Sequence, residues 1–178
     1  KGIFTILSSC ASRQLEEVTF RRATISVPEL MATAGKYFRK VYKGNKAHID
    51  FKIQPLEGRI TGDWNQLRFL LENLIDEACS VTLDGAVCLS AREDGEFIRF
   101  LFTDMRREKT REELNQLFYP DLSRMTAGEK GELYGTEYLV CKQIIRDHDE
   151  FAGRRGCRIN AEPGKEGGLT IYFTLPKK

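Results

Sequence analysis

GDWNQLRFLLENLIDEA, residues 62–78, is the stretch on which the fold of this chain turns. Asp63 stands where a helix N-cap belongs, ahead of an apolar run, and Leu67, Leu70, Leu71, Leu74, Ile75 and Ala78 recur at spacings of three and four. That period predicts a helix with one buried stripe. Its second half gathers three polar side chains, Asn73, Asp76 and Glu77, of which Asn73 and Glu77 stand one turn apart.

Upstream, residues 22–27 (RATISV) alternate like a strand, and Pro28 opens a helix over 29–43 with Leu30, Ala34, Phe38 and Val41 on one stripe. Gly44-Asn45 ends it. Residues 48–53 (HIDFKI) alternate again, and 58–61 give a short strand after Pro55 that is expected to pair with 48–53. Downstream, 86–92 and 97–103 flank Asp94-Gly95, a hairpin signal, and 112–118 read as a short helix. Residues 121–135 carry Gly128, Gly131 and Gly135 without an apolar period, the pattern of a mobile or ligand-facing loop, before a helix over 136–146. Two strands, 158–161 and 169–175, close the chain around a glycine-rich turn at 164–168. Interleaved helices and strands in this order predict an α+β fold, a two-layer α/β sandwich. Its sheet is expected to be mixed and mostly antiparallel, with helices on one face.

The 178 residues are 41% hydrophobic and 30% charged, enough apolar material for one folded domain and too much for a disordered chain. We expect that domain over 21–178, with 1–20 as an N-terminal segment ending an upstream linker. Lys and Arg number 28 against 26 Asp and Glu, so charge gives no reason to expect nucleic acid or a membrane surface as partner. No apolar run approaches the ~20 residues of a membrane helix. The chain begins at Lys1 with no leader-like run, so we expect a soluble, cytoplasmic piece of a longer, membrane-anchored or free protein. Cys10, Cys79, Cys88, Cys141 and Cys157 are odd in number with no C-x-x-C pair, which predicts reduced core thiols rather than a zinc site.

Several strings resemble the catalytic and ATP-binding domain of sensor histidine kinases, a fold shared with gyrase-type topoisomerases and MutL-like mismatch repair ATPases. The resemblance covers about residues 20–176, judged by element order. Residues 62–78 are similar to the family's N-box helix, G-D-x-x-x-L-x-x-x-L-x-N-L-I-x-N-A. LVCKQIIRDHDE (139–150) resembles the helix behind its second glycine box, GGLTIYFTLP (167–176) its closing strand, and EELNQLFY (112–119) its F-box. The resemblance implies Mg-ATP as cofactor, with Asn73 and Glu77 on magnesium and Asp76 beside them. It implies Asp104, in TDMRRE (103–108), on the adenine amino group, and Arg106, Gly131 and Gly135 around the nucleotide.

The departures bear on activity. Glu77 replaces the second N-box Asn; a carboxylate still suits magnesium, but beside a triphosphate it costs about 4 kcal/mol for unit charges ~4 Å apart at an effective dielectric of ~20 unless the ion sits between them, so binding would depend more strongly on magnesium. Arg106 and Glu108 replace both glycines of the first box, and side chains there would fill space that backbone normally leaves to the ligand. In the second box, LYGTE (133–137), Gly135 survives while Leu133 and Glu137 replace the other two glycines. The reading these favour is a degenerate, pseudo-ATPase domain of a signal-transduction protein, an interaction or regulatory module partnered by sensor and dimerisation segments of the same longer chain and by a signalling protein. The other is an active domain that phosphorylates a histidine outside the fragment. His48 on a strand and His148, placed just after the helix, do not match the family's phosphoacceptor motif.

Overall fold

A computed structural model describes residues 20–42, 44, 48–82, 84–105, 136–164 and 168–178. In chain order these form β1 (Ala23–Ser26), α1 (Val27–Tyr42), β2 (Ile49–Gln54), β3 (Arg59–Gly62), α2 (Trp64–Val81), β4 (Gly85–Asp94), β5 (Phe97–Asp104), α3 (Thr136–Phe151), β6 (Ile159–Pro163) and β7 (Leu169–Pro176). The expected helix at 112–118, the glycine loop at 121–135 and the N-terminal segment up to residue 19 lie outside the described residues.

The α2 helix forms as its period predicts. Asp63 caps it, its Oδ1 accepting the Gln66 N–H at 3.1 Å, and Leu67, Leu70, Leu71, Leu74, Ile75, Ala78 and Cys79 are all buried. Truncating one of those leucines to Ala would cost about 2–5 kcal/mol, a large part of the ~5–15 kcal/mol that holds a domain folded. The α1 helix starts directly at the end of β1, with Pro28 in the first turn where its missing N–H costs nothing. Leu30, Ala34 and Phe38 are buried as expected, whereas Val41 is 37% exposed: four residues after Phe38 it is Tyr42 that takes the core-side position.

Two sheets hold the strands. The larger has the order β2-β4-β5-β7-β6, with β2 and β4 parallel and every other neighbour antiparallel. Helices α1, α2 and α3 share one core with it, built on Val87, Leu89, Phe100, Phe102, Ile171 and Phe173. The expected pairing of 48–53 with 58–61 is not found. β3 pairs antiparallel with β1 in a small second sheet, with Ile25 opposite Ile60, both buried. Pro55 cannot extend a ladder out of β2, and β2 instead lies parallel to β4 through a crossover that contains α2. An Ile60–Lys177 bridge joins the two sheets.

Asp94-Gly95 makes the expected hairpin, Asp94 facing Phe97 across it and Gly95 at φ +61°. The last helix runs on to Phe151, five residues beyond the predicted end, which brings His148 into its final turn rather than after it. Cys79, Cys141 and Cys157 are buried free thiols and Cys88 is half-buried, as expected of core cysteines; Cys10 lies outside the described residues. No described helix is long and apolar enough to cross a membrane.

Candidate functional site

One end of the larger sheet collects the starts of β2, β4 and β7 and the end of β5. The registers place Ile49 beside Gly85, Cys88 beside Thr103, and Asp104 beside Leu169. Alternation along β5 buries Ile98, Phe100, Phe102 and Asp104 on the helix-covered face, so the Asp104 carboxylate points into the layer between sheet and helices and is 1% exposed. Next to it the chain of β7 is pressed close: a Cβ on Gly168, at φ +76°, would stand 1.9 Å from the Asp104 carbonyl oxygen. Thr103 and Thr170 share a hydroxyl–hydroxyl hydrogen bond of 3.0 Å on the other face.

Helix α2 ends at this same end of the sheet, because Thr82, its C-cap, leads directly into β4. Asn73 and Glu77 are therefore one to two turns from the end where Asp104 lies, both half-buried. The Asn73 amide donates to the Phe69 carbonyl at 2.9 Å, which leaves its side-chain oxygen to accept. At about 100° per residue, Asp76 falls on the opposite side of Asn73 from Glu77. There its Oδ1 accepts from the hydroxyls of Tyr37, at 2.7 Å, and Tyr42, at 2.5 Å, both on α1. Burial first, and then the bond and the charge of Asp76, push both phenols well above the ordinary tyrosine value. The sequence brought Asn73, Asp76 and Glu77 together; the fold ties Asp76 to α1 and leaves Asn73 and Glu77 as the pair on one flank.

The oxygens of Asn73 and Glu77, one turn apart, are the hard donors a magnesium ion accepts, and magnesium completes its shell with water and phosphate oxygens. Among the described residues no group of three or more His, Cys, Asp or Glu is placed to hold a metal by protein ligands alone. A buried carboxylate at Asp104 suits a neutral N–H donor such as an exocyclic amine. The residues present thus fit the adenine and the metal. Arg106, Gly131 and Gly135, with Glu108 and Leu133, lie outside the described residues, as does the side chain of Glu137.

Sequence reasoning missed the two tyrosines and Gly168. The tyrosines carry no local signal, being 34 and 39 residues from Asp76. For Gly168 the glycine-rich turn before a closing strand was the available signal. His148 is buried and structural: its Nε2 accepts the Asp63 N–H at 3.0 Å while Nδ1 donates to the Ile144 carbonyl at 2.8 Å.

Residues 62–178 match the family model of histidine kinase-, DNA gyrase B- and HSP90-like ATPases. Among curated proteins the chain is similar to the adaptive-response sensory kinase SasA of Thermosynechococcus vestitus, 29% identical over 138 residues, covering 76% of this chain and 34% of SasA. It spans about a third of that relative's length. Among solved structures it resembles the nucleotide-free catalytic domain of the histidine kinase ThkA, with a TM-score of 0.69 at 23% identity over 88% of this chain and 98% of that one. It also resembles full-length ShkA in complex with AMPPNP, with a TM-score of 0.72 at 17% identity over 98% of this chain and 35% of that one.

Proposed function

The chain belongs to the family of histidine kinase-, DNA gyrase B- and HSP90-like ATPases, and we propose that within it this is a degenerate, pseudo-ATPase domain of a signal-transduction protein, serving as an interaction or regulatory module. The observation that carries the reading is where the departures fall. By the resemblance, Arg106 and Glu108 replace the glycines of the first box, Leu133 and Glu137 two glycines of the second, and Glu77 the second N-box Asn, while Asp104 keeps the residue expected on the adenine amino group. On that correspondence, carboxylates at 77 and 137 would oppose a triphosphate by charge, and side chains at 106 and 108 would fill space that glycine leaves to the ligand.

Were nucleotide held, Asp104 would accept from the adenine amino group, and Asn73 and Glu77 would bind magnesium. The ion's chemistry is to neutralise phosphate charge. This arrangement of Asp104 with the Asn73–Glu77 flank is what favours the second reading, an active domain that passes a phosphoryl group to a histidine elsewhere. His148 is no acceptor, being fully buried with both ring nitrogens engaged.

The relatives support a place in a longer signalling chain: one is named a sensory kinase, and ThkA is described in complex with the response regulator TrrA. By that likeness this domain works with other segments of its own chain and with a protein partner. The test restores the first box. Titrated with ADP and a non-hydrolysable ATP analogue, the Arg106→Gly/Glu108→Gly variant should gain affinity over the unmodified chain. No gain in a folded variant would mean that pocket-filling side chains are not what closed the site.

A further inference from the structure

The path by which the chain enters the domain is fastened to the start of the helix that carries Asn73 and Glu77. The Arg21 N–H donates to Asp63 Oδ2 at 2.9 Å, and the other oxygen of the same carboxylate caps α2 through the Gln66 N–H at 3.1 Å. One buried side chain thus holds two backbone segments at once. Asp63 is itself held from α3, because its N–H donates to His148 Nε2 at 3.0 Å. Nδ1 donates to the Ile144 carbonyl at 2.8 Å, so the imidazole is the neutral tautomer with its acceptor turned to Asp63. Phe20 closes the ring of contacts: its side chain stands edge-on to His148 with centroids 4.8 Å apart and leans on Phe151 at 5.8 Å. The end of β3 can come this close only as glycine, since a Cβ on Gly62 would lie 2.9 Å from His148 Nε2.

We propose that Phe20, Arg21, Asp63 and His148 form a latch that couples the position of the entering chain to the N-terminus of α2, and through that rigid helix to the flank bearing Asn73 and Glu77. A displacement of the chain ahead of Arg21 pulls on Asp63 through a charge-assisted bond and unseats the Phe20 ring from His148. The first turn of α2 then loses its cap on one side and its anchor to α3 on the other. The latch belongs to the fold and works whether or not nucleotide binds, so its failure and the failure of the pseudo-ATPase reading are separate results.

Native-state hydrogen exchange and amide chemical shifts of the full 178-residue chain test it. Phe20→Ala should speed exchange at the Asp63 and Gln66 amides by about tenfold, the worth of one aromatic contact, and shift the Asn73 and Glu77 amide resonances. Amides of Phe100 and Phe173 in the sheet should keep their rates. Equal acceleration in the sheet would mean that Phe20 is ordinary packing, and unchanged amides at Asp63 and Gln66 would mean that there is no latch. His148 gives a second arm: His148→Gln, which can still accept the Asp63 N–H, should retain more protection at Asp63 than His148→Leu. If the leucine variant does not fold, the glutamine variant against the unmodified chain decides alone, since loss of Asp63 protection in a folded glutamine variant would overturn the role given to Nε2.

Discussion

Gly168→Ala should damage this domain far more than Gly95→Ala, although both glycines sit in the left-handed region, at φ +76° and +61°. An alanine there costs about 1–2 kcal/mol from the backbone alone, and at Gly95 nothing else is added, because no atom lies within 4 Å of the new Cβ. At Gly168 the Cβ would stand 1.9 Å from the Asp104 carbonyl oxygen and 3.0 Å from its carbon. Backbone cannot swing aside as a side-chain tip can, so β5 and β7 must part at the Asp104–Leu169 pair, an overpacking cost of about 1–3 kcal/mol more. For a chain of this size each kcal/mol lowers Tm by about 2–4 °C, which puts Gly95→Ala near 2–8 °C and Gly168→Ala about 2–12 °C lower still. Urea unfolding of the two variants and the unmodified chain gives the difference directly. Equal losses would refute the close approach of β7 to Asp104, and with it the placing of that carboxylate at the sheet end.

The tyrosine pair predicts a loss of stability in alkali. Tyr37 and Tyr42 keep their protons in the fold to higher pH than in the unfolded chain, so their contribution is whole below pH 10.0, the unfolded value, and is lost as pH rises through the folded values. The slope is at most about 1.4 kcal/mol per pH unit for each tyrosine, less here because both are partly open to solvent. Asp76→Ala should flatten that slope in urea unfolding between about pH 9 and 11. Cys157, pushed up to about 12 chiefly by burial, adds a loss of the same sign that Asp76→Ala leaves alone. In the Arg106→Gly/Glu108→Gly background, Glu77→Asn should lower the magnesium needed for half-saturation with an ATP analogue. An unchanged magnesium requirement would place Glu77 away from the phosphates.

What the sequence showed of this molecule follows from which interactions are local. The α2 helix was legible because its cap, its period and its buried stripe all lie within one window, and the Asp94-Gly95 hairpin because the turn residue and its flanking strands are adjacent. The pairing of β3 with β1 was not legible. Each is four residues long with a single buried isoleucine facing the other, and alternation announces a strand without naming its neighbour. Asp104 was singled out through motif likeness, and its direction follows from the alternation of β5, whereas the tie of Asp76 to Tyr37 and Tyr42 joins two helices and leaves no trace in either one alone. The same holds for His148: the helix outlasts its predicted end because the buried Ile144, Ile145 and His148 continue the core-facing stripe, and only the folded chain brings Asp63 to the ring.

The claim that the phosphate side of the site has lost its function is tested most directly by calorimetric titration of the folded domain with ADP and a non-hydrolysable ATP analogue, with and without magnesium. Silence up to millimolar nucleotide is the expected result. Micromolar binding, about −8 kcal/mol, would contradict it and restore the reading of an active domain that phosphorylates a histidine elsewhere.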